Sequence, residues 1–428
     1  MLAYATVGLT PVALMLFVRR VEVANVATAL SLAFGLIALS LLGVALALPA
    51  RMRSILSSFG IEWVLRNHRL VGLLAAGLIL LHLLFVFIGD PRGVGILNLV
   101  SARRPVWAAT ISTVAVLALV ILAERRRRHQ PRYEGWRLTH VGLALTAVIT
   151  AWLHVWWLRH LVEDPLMAAW FALLAFAMGV VTLRRWVWRP LRARRRSYLI
   201  EQVRPVSGNA ITVVVRAQGH RGLPFHAGQF AWLKIGTSPF VFEEHPFTIA
   251  STAEQPQRME FTIKALGDFT ELLIGLRRGR HVYLDGPYGR FTLEGLPRNG
   301  FVFVAGGIGI TPMLSMLRTL ADRGDRGRHQ LLVAARTIDD VVLRREIHEL
   351  RGRLDLDIVE VLADPPPGWR GEVGRIDPAL LARRLRRGAR HHDVFLCGPP
   401  GLVVDVGRML RDLGIPAHRI HTELFDIS

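Results

Sequence analysis

The 428-residue sequence holds one cysteine, Cys397. No disulfide can form within the chain, and no iron–sulfur cluster can be held by its thiolates. Acidic residues are also scarce, 33 against 53 Lys and Arg, giving a formal charge of +20. A basic balance of that size often marks a nucleic-acid binder. Here, however, apolar residues make up 52% of the chain, and much of the arginine flanks long apolar runs. Arg125–Arg128 and Arg192, Arg194, Arg195 and Arg196 form the densest clusters. The positive-inside tendency of membrane proteins explains them without nucleic acid. The first apolar run lacks a basic start and a cleavage site, so it reads as a retained helix rather than a signal peptide. No calcium-binding module precedes it, and activity without an activator is expected.

Hydropathy marks six candidate spans: Leu2–Val18, Asn25–Leu48, His68–Ile88, Val106–Ala123, Leu138–Leu158 and Leu166–Leu183. An even number returns both termini to one side. Arg51, Arg53, the Arg125–Arg128 run with Arg132, and the Arg-rich stretch after Leu183 fall on that side, which is expected to be cytoplasmic. Arg19, Arg20, Arg92, Arg103, Arg104 and Arg159 fall on the other.

Two of these spans carry histidine pairs at one spacing, His68 with His82 and His140 with His154, 14 positions apart in each. On an α-helix that is about 3.9 turns and a rise of roughly 21 Å, so both members face nearly the same side. One helix then offers imidazoles near opposite edges of a hydrocarbon layer roughly 30 Å thick. A single intramembrane histidine can serve only to hydrogen-bond a neighbouring helix. The same spacing on two segments argues instead for two stacked bis-histidine sites, a geometry for two haems. Between the histidines lie mostly small side chains: Gly72, Ala75 and Ile79 in the first pair, Ala144, Ala147 and Ala151 in the second. Such residues admit a flat macrocycle, and they also serve helix packing. The topology makes these two spans parallel, so His68 pairs with His140 near the cytoplasmic edge and His82 with His154 near the outer edge. His129, in an Arg-rich loop, and His160, beyond the fifth span, read as non-ligands.

Past an Arg- and Trp-rich linker the pattern changes. Alternating runs such as Ala210–Arg216 and Gln229–Ile235 read as antiparallel strands of a small barrel. From Gly300, strand–helix alternation follows: Phe301–Ala305, Met313–Arg323, Gln330–Ala335, Asp340–Arg351, Asp357–Leu362, then Asp393–Leu396 and Leu402–Leu413. That is a parallel α/β sheet. His245-Pro-Phe-Thr-Ile-Ala-Ser251 can present backbone and Thr248 to a planar ring. Lys264 and Gly267-Asp-Phe-Thr270 read as a turn suited to a pyrophosphate. Asp285-Gly-Pro-Tyr-Gly-Arg-Phe291 is a turn at a domain edge. Ala305-Gly-Gly-Ile-Gly-Ile-Thr-Pro312 joins a buried strand to a helix and lacks a full G-x-G-x-x-G; its glycines let a phosphate-bearing ligand approach the backbone. Phe395-Leu-Cys-Gly-Pro-Pro400 ends a later strand, where open α/β sheets bind ligands. Cys397 there could meet a nicotinamide ring or serve as a small buried hydrophobe.

Taken in order, these motifs resemble the ferredoxin–NADP reductase superfamily, and with the four membrane histidines they resemble the NADPH oxidase/ferric reductase family. The resemblance implies FAD, NADPH (or NADH) and two b-type haems. By it, His245, Pro246, Phe247, Thr248 and Ser251 line the flavin site, with Lys264, Gly267 and Thr270 near its phosphates. Gly306, Gly307, Gly309, Thr311 and Pro312 contact the nicotinamide cofactor, with Cys397, Gly398 and Pro399 near its reactive ring. Phe425 matches the flavin-stacking terminal aromatic, although Asp426-Ile-Ser428 extends past it. The aromatic that family oxidases can carry midway between haems is missing from Val141–Ala151. Arg336 and Arg370 are candidates for a 2′-phosphate.

The expected architecture is a six-helix transmembrane bundle over residues 1–190, an antiparallel β-barrel FAD domain over 191–297 and an α/β parallel-sheet nucleotide domain over 298–428. The expected activity is electron transfer from cytoplasmic NAD(P)H through FAD and haem to dioxygen or a ferric chelate on the outer face of a prokaryotic inner or plasma membrane. Two alternatives remain at this point: an electron-transfer subunit feeding a protein or quinone partner, and a membrane-anchored flavin reductase with no haem relay.

Overall fold

In the computed structural model the described residues are 2–17, 25–52, 55, 59–90, 102–129, 133–159, 161–241, 243–264, 273, 275–297, 300–385 and 388–424. They fall into two compact units, Met1–Trp188 and Arg189–Ser428.

The first unit is helical: α1 Leu2–Phe17, α2 Val26–Ala47, α3 Ile61–Gly89, α4 Arg104–His129, α5 Tyr133–Leu158 and α6 Pro165–Leu183. Among the described residues five helices, α2 to α6, are long and apolar enough to cross a membrane. The first expected span is a 16-residue helix with Pro11 inside it, below that length. The third begins seven residues before His68, because Ile61–Asn67 continues the helix on the near side of the histidine. Local chemistry sets the ends. Asn25 caps α2 by accepting from the Thr28 N–H at 2.8 Å, and its amide donates to the Gly89 carbonyl at 3.0 Å, tying the start of α2 to the end of α3. Asp164 caps α6, accepting from the Leu166 and Met167 N–H groups. Large apolar side chains such as Leu73, Leu84, Ile121, Ile149 and Phe176 stay exposed on the bundle, as a lipid-facing surface requires.

The second unit opens with a short helix, α7 Arg189–Arg194, and then six strands: β1 Tyr198–Val206, β2 Ala210–Ala217, β3 Phe230–Ile235, β4 His245–Thr248, β5 Arg258–Lys264 and β6 His281–Tyr288. They pair in the order β4-β3-β6-β1-β2-β5, every neighbour antiparallel. The segment after β4 reaches β5, where the Ala250 N–H donates to the Glu260 carbonyl at 2.8 Å. Inward residues from this sheet, among them Ile200, Val213, Leu233 and Phe261, make one core.

The rest is a parallel sheet, β7 Phe301–Gly306, β8 His329–Ala335, β9 Leu356–Leu362, β10 Glu372–Val373, β11 Asp393–Gly398 and β12 Ile420–Leu424, in the order β10-β9-β8-β7-β11-β12. Its helices are α8 Ile310–Asp322, α9 Arg344–Glu349, α10 Pro378–Arg384 and α11 Pro400–Asp412. β7 and β11 are buried at every position, as central parallel strands covered on both faces must be. Met313, Leu314, Met316 and Leu317 of α8 are fully enclosed. Each contributes about 1.5–3 kcal/mol by leaving water. The helix expected over Asp340–Arg351 is shorter. Asp340 accepts from the Thr337 N–H and hydroxyl, Leu343 takes a left-handed conformation at φ 56°, and only Arg344–Glu349 is α-helical.

Candidate functional site

In the helical unit, α2 and α3 run antiparallel in a register that sets a carbonyl of α2 against each histidine of α3. His68 Nδ1 lies 2.9 Å from the Ala45 carbonyl and His82 Nδ1 2.8 Å from the Ser31 carbonyl. Ser31 and Ala45 are themselves 14 positions apart, repeating the histidine spacing on the partner helix. The Ser31 hydroxyl donates back to the His82 carbonyl at 3.2 Å. α4 and α5 repeat the device once: His154 Nδ1 lies 2.9 Å from the Pro105 carbonyl, and Ser112 donates to the Ala147 carbonyl in the same register. His140 Nδ1 is buried with no hydrogen-bond partner among the described residues.

A ring nitrogen bonded to a carbonyl carries the proton, which leaves Nε2 as the lone-pair donor; metal-ligating histidines are held this way. The rings of His68 and His140 lie 6.1 Å apart, centroid to centroid. An ion held by two imidazoles, at about 2 Å for each metal–nitrogen bond, needs roughly 6 Å between ring centres. An added Cβ at Gly72, one turn from His68, would meet nothing within 4 Å. His82 and His154 line one apolar cavity of about 100 Å³, whose wall mixes Gly35, Ala38, Ala109 and Ala151 with leucines such as Leu36 and Leu39. At Gly35 a Cβ would stand 3.0 Å from His82 Nδ1, so a side chain there would press on that ring. Between the two pairs lies an aliphatic cluster of Ala76, Ala115, Val116 and Ala147. The donor set and the spacing fit haem.

In the second unit the chain winds from β7 outward through β8 and β9 to β10, then returns to β11 on the other side of β7. The crevice at the carboxyl ends of β7 and β11 is thus the topological switch point of the sheet, and two glycine motifs meet there. A Cβ at Gly309 would lie 2.5 Å from the Cys397 carbonyl oxygen, and one at Gly398 would lie 3.1 Å from Gly306 Cα. Gly307 takes φ 53° with open space beside it. Thr311 turns inward, donating to the Ile308 carbonyl at 3.0 Å, and Pro312 is buried with it in α8; Pro399 leads into α11. Of the flavin-side candidates, His245, Pro246, Phe247 and Thr248 form β4, and Lys264 ends β5. The Ser251 hydroxyl is buried without a hydrogen-bond partner among the described residues, as a group awaiting a ligand would be.

Three family models match in order: a ferric reductase-like transmembrane component over residues 34–151, an FAD-binding domain over 196–292 and an oxidoreductase NAD-binding domain over 303–408. The chain has the fused ferric reductase-like architecture. This ferric reductase-like chain is 31% identical over 233 residues to a propane 2-monooxygenase reductase component of Rhodococcus jostii, covering 53% of this chain and 62% of that one. It is 32% identical over 170 residues to NADH-cytochrome b5 reductase 1 of Cryptococcus neoformans, covering 37% and 58%. The chain therefore spans about 60% of the length of these relatives. The FAD/NAD-binding domain of a Vibrio cholerae nitric oxide dioxygenase superposes with a TM-score of 0.48 at 22% identity, covering 54% of this chain and 98% of that domain.

Gly267, Thr270, Phe425, Arg92 and His160 lie outside the described residues. Arg336 and Arg370 are exposed. Cys397 of the reductase-like chain is fully enclosed in the core, where burial and then the Glu423 carboxylate push its thiol well above the ordinary range. Its contact with any ring would need that core to open. Iodoacetamide at about pH 8 is accordingly expected to leave Cys397 unmodified in the folded protein and to label it only after unfolding, as intact mass would show.

Two groupings escaped the sequence reading. Asp285 and Tyr288 of the second turn motif bond each other at 2.7 Å, and Arg189 donates to Tyr288 at 3.0 Å. Glu260, on β5, is ringed by Arg258 at 2.8 Å, Arg318 at 3.1 Å and Arg204 at 3.6 Å. Burial raises its carboxyl, but Arg318 and then Arg258 and Arg204 bring it below the ordinary 4.5. With the folded value depressed, its stabilisation is complete above about pH 4.5 and is lost as pH falls through the folded value. Calorimetry of the full chain should show the unit carrying Glu260 losing stability on acidification below that pH, with Glu260→Gln flattening the slope.

Proposed function

We propose that the chain carries electrons from NADPH or NADH, through FAD and two b-type haems, to dioxygen (giving superoxide) or a ferric chelate (giving ferrous iron) on the outer face. The observation that carries the reading is the pairing of four anchored or enclosed histidines in a helical unit fused to flavin- and nicotinamide-binding domains. When bound, FAD would supply the exchange between a two-electron hydride and single electrons, and haem would supply one-electron relay. His68 with His140 would hold the inner haem and His82 with His154 the outer one. The Ala45, Ser31 and Pro105 carbonyls fix the tautomer that presents Nε2. β4 and Ser251 would hold the flavin, and Gly306, Gly307, Gly309, Gly398 and Pro399 let a nicotinamide nucleotide lie against backbone. Residues 1–190, 191–297 and 298–428 would be the haem, FAD and nucleotide domains, with the FAD sheet closing as a barrel. Leu2–Phe17 would complete six spans, with the second unit cytoplasmic in a prokaryotic membrane.

The test uses the purified full-length protein. A b-type haem spectrum, flavin bleaching by NADH or NADPH, and consumption of oxygen or ferric chelate are the expected results. Bleaching without haem would sink the relay and leave a membrane-anchored flavin reductase. The relative that is a reductase component favours a second reading, an electron-transfer subunit serving a protein or quinone partner. Haem reduction with no oxygen or chelate consumption would select it.

A further inference from the structure

One face of α8 is polar where the helix is otherwise enclosed by apolar side chains. Ser315, Arg318 and Thr319 sit at helical spacings of three and four, which places them side by side. All three reach the short segment that follows β4. The Ser315 hydroxyl donates to the Ser251 carbonyl at 2.9 Å and accepts from the Gly228 N–H at 3.3 Å. Arg318 Nη1 donates to the Ala250 carbonyl at 2.9 Å and to Glu260 at 3.1 Å. Thr319 Oγ1 accepts from the Ala253 N–H at 2.9 Å. Ser315 and Thr319 are fully buried. Contact is so close that a Cβ at Gly228 would stand 2.5 Å from Met316 Cε.

The other arm of Arg318 grips Glu346 of α9, and Glu346 in turn accepts from Arg204 of β1 at 2.9 Å. Arg318 therefore joins three elements: the helix that begins at the Gly306–Gly309 loop, the segment carrying Ser251, and Glu346 of α9, which also binds Arg204 of β1. A guanidinium suits this position, since its planar fork can serve a carbonyl and two carboxylates at once while remaining charged.

We propose that Arg318 is a positioning residue for hydride transfer, holding the nicotinamide loop at a fixed distance from the flavin-side segment. The inference rests on the reading that Ser251 and β4 face the flavin and that Gly306–Gly309 faces the nicotinamide. The step concerned moves one hydride, two electrons with a proton, from reduced nicotinamide to flavin and leaves oxidised nicotinamide. Misplacement by about 1 Å can cost a hundredfold in such a reaction. Arg318 touches neither reactant in this account. Its removal changes the rate constant of transfer rather than the occupancy of either site.

The experiment is anaerobic stopped-flow mixing of the full-length FAD-loaded protein with NADH and NADPH, following flavin absorbance and the long-wavelength band of a stacked nicotinamide–flavin pair. Wild-type bleaching tests the underlying reading by itself; failure there removes that reading, whatever the variants do. Given wild-type bleaching, Arg318→Gln should lower the limiting rate between about tenfold and a hundredfold. FAD per chain and the half-saturating nucleotide concentration should hold, and the stacked band should weaken. Arg318→Lys, keeping charge but not the fork, should fall between. Glu346→Gln, which leaves the Ala250 and Glu260 contacts in place, should give a smaller loss of the same kind and serves if Arg318→Gln does not fold. An unchanged limiting rate in Arg318→Gln or, where that variant does not fold, in Glu346→Gln overturns the proposal. So does a rate loss fully accounted for by lost FAD or by weaker nucleotide binding.

Discussion

Alanine at His82 or His154 is expected to halve the haem content and to lower outer-face reduction by more than about a hundredfold. Changes to the outer-shell partners of a metal ligand alone cost 10–100-fold, and here the ligand itself is removed. Flavin bleaching by NAD(P)H should persist in both variants, because both residues belong to the helical unit and the candidate nucleotide site to the other. The measurements are haem per chain by absorbance, anaerobic flavin bleaching, and consumption of oxygen or ferric chelate. Full outer-face reduction with one haem missing would refute the relay order. The same three measurements separate the two sites: His68→Ala and His140→Ala should stop electrons before the outer haem while leaving His82 and its cavity intact.

The second large effect is expected at Gly309. A side chain there would place its Cβ 2.5 Å from the Cys397 carbonyl oxygen and 2.6 Å from its carbonyl carbon. Both atoms belong to the central strand β11, which pairs with β7 on one side and β12 on the other, so the loop must yield rather than the sheet. Gly309→Val should therefore displace the turn between β7 and α8 and slow flavin reduction by about a hundredfold. Overpacking of this kind also costs about 1–3 kcal/mol of stability. FAD content should hold, since β4, Ser251 and Lys264 lie elsewhere. Stopped-flow bleaching at saturating nucleotide decides the matter, and a variant that bleaches at the wild-type rate would remove the loop from the site.

The histidine pairs were readable because helical periodicity converts a spacing of 14 into a shared face, whatever the rest of the bundle does. Their carbonyl partners were not readable, since a main-chain oxygen has no residue type to betray it. Ser31 and Ala45 carry the same spacing as the histidines, a signal that acquires meaning only once α2 is known to pack antiparallel to α3. The two glycine motifs stood out as turns, but their mutual contact depends on β7 lying beside β11, a neighbour about ninety positions away. Arg318 and Glu260 look in the sequence like ordinary solvated charges. Tertiary packing brings them together and closes them off, and no local pattern records it. The shortened α9 has a similar origin, in Asp340 capping its own turn and in the left-handed Leu343.

Three histidines are steered by backbone oxygens of neighbouring helices, with the Ser31 hydroxyl also 3.0 Å from His82 Nδ1. No single substitution can delete a backbone oxygen. A saturation scan of the bundle would score the histidines as intolerant while the carbonyls that orient them stayed invisible, surfacing only as scattered helix-packing defects. The proton position on each ring is thus a property of how two helices lie together. A change that slides α2 along α3 by one residue would alter His68 and His82 in the same stroke.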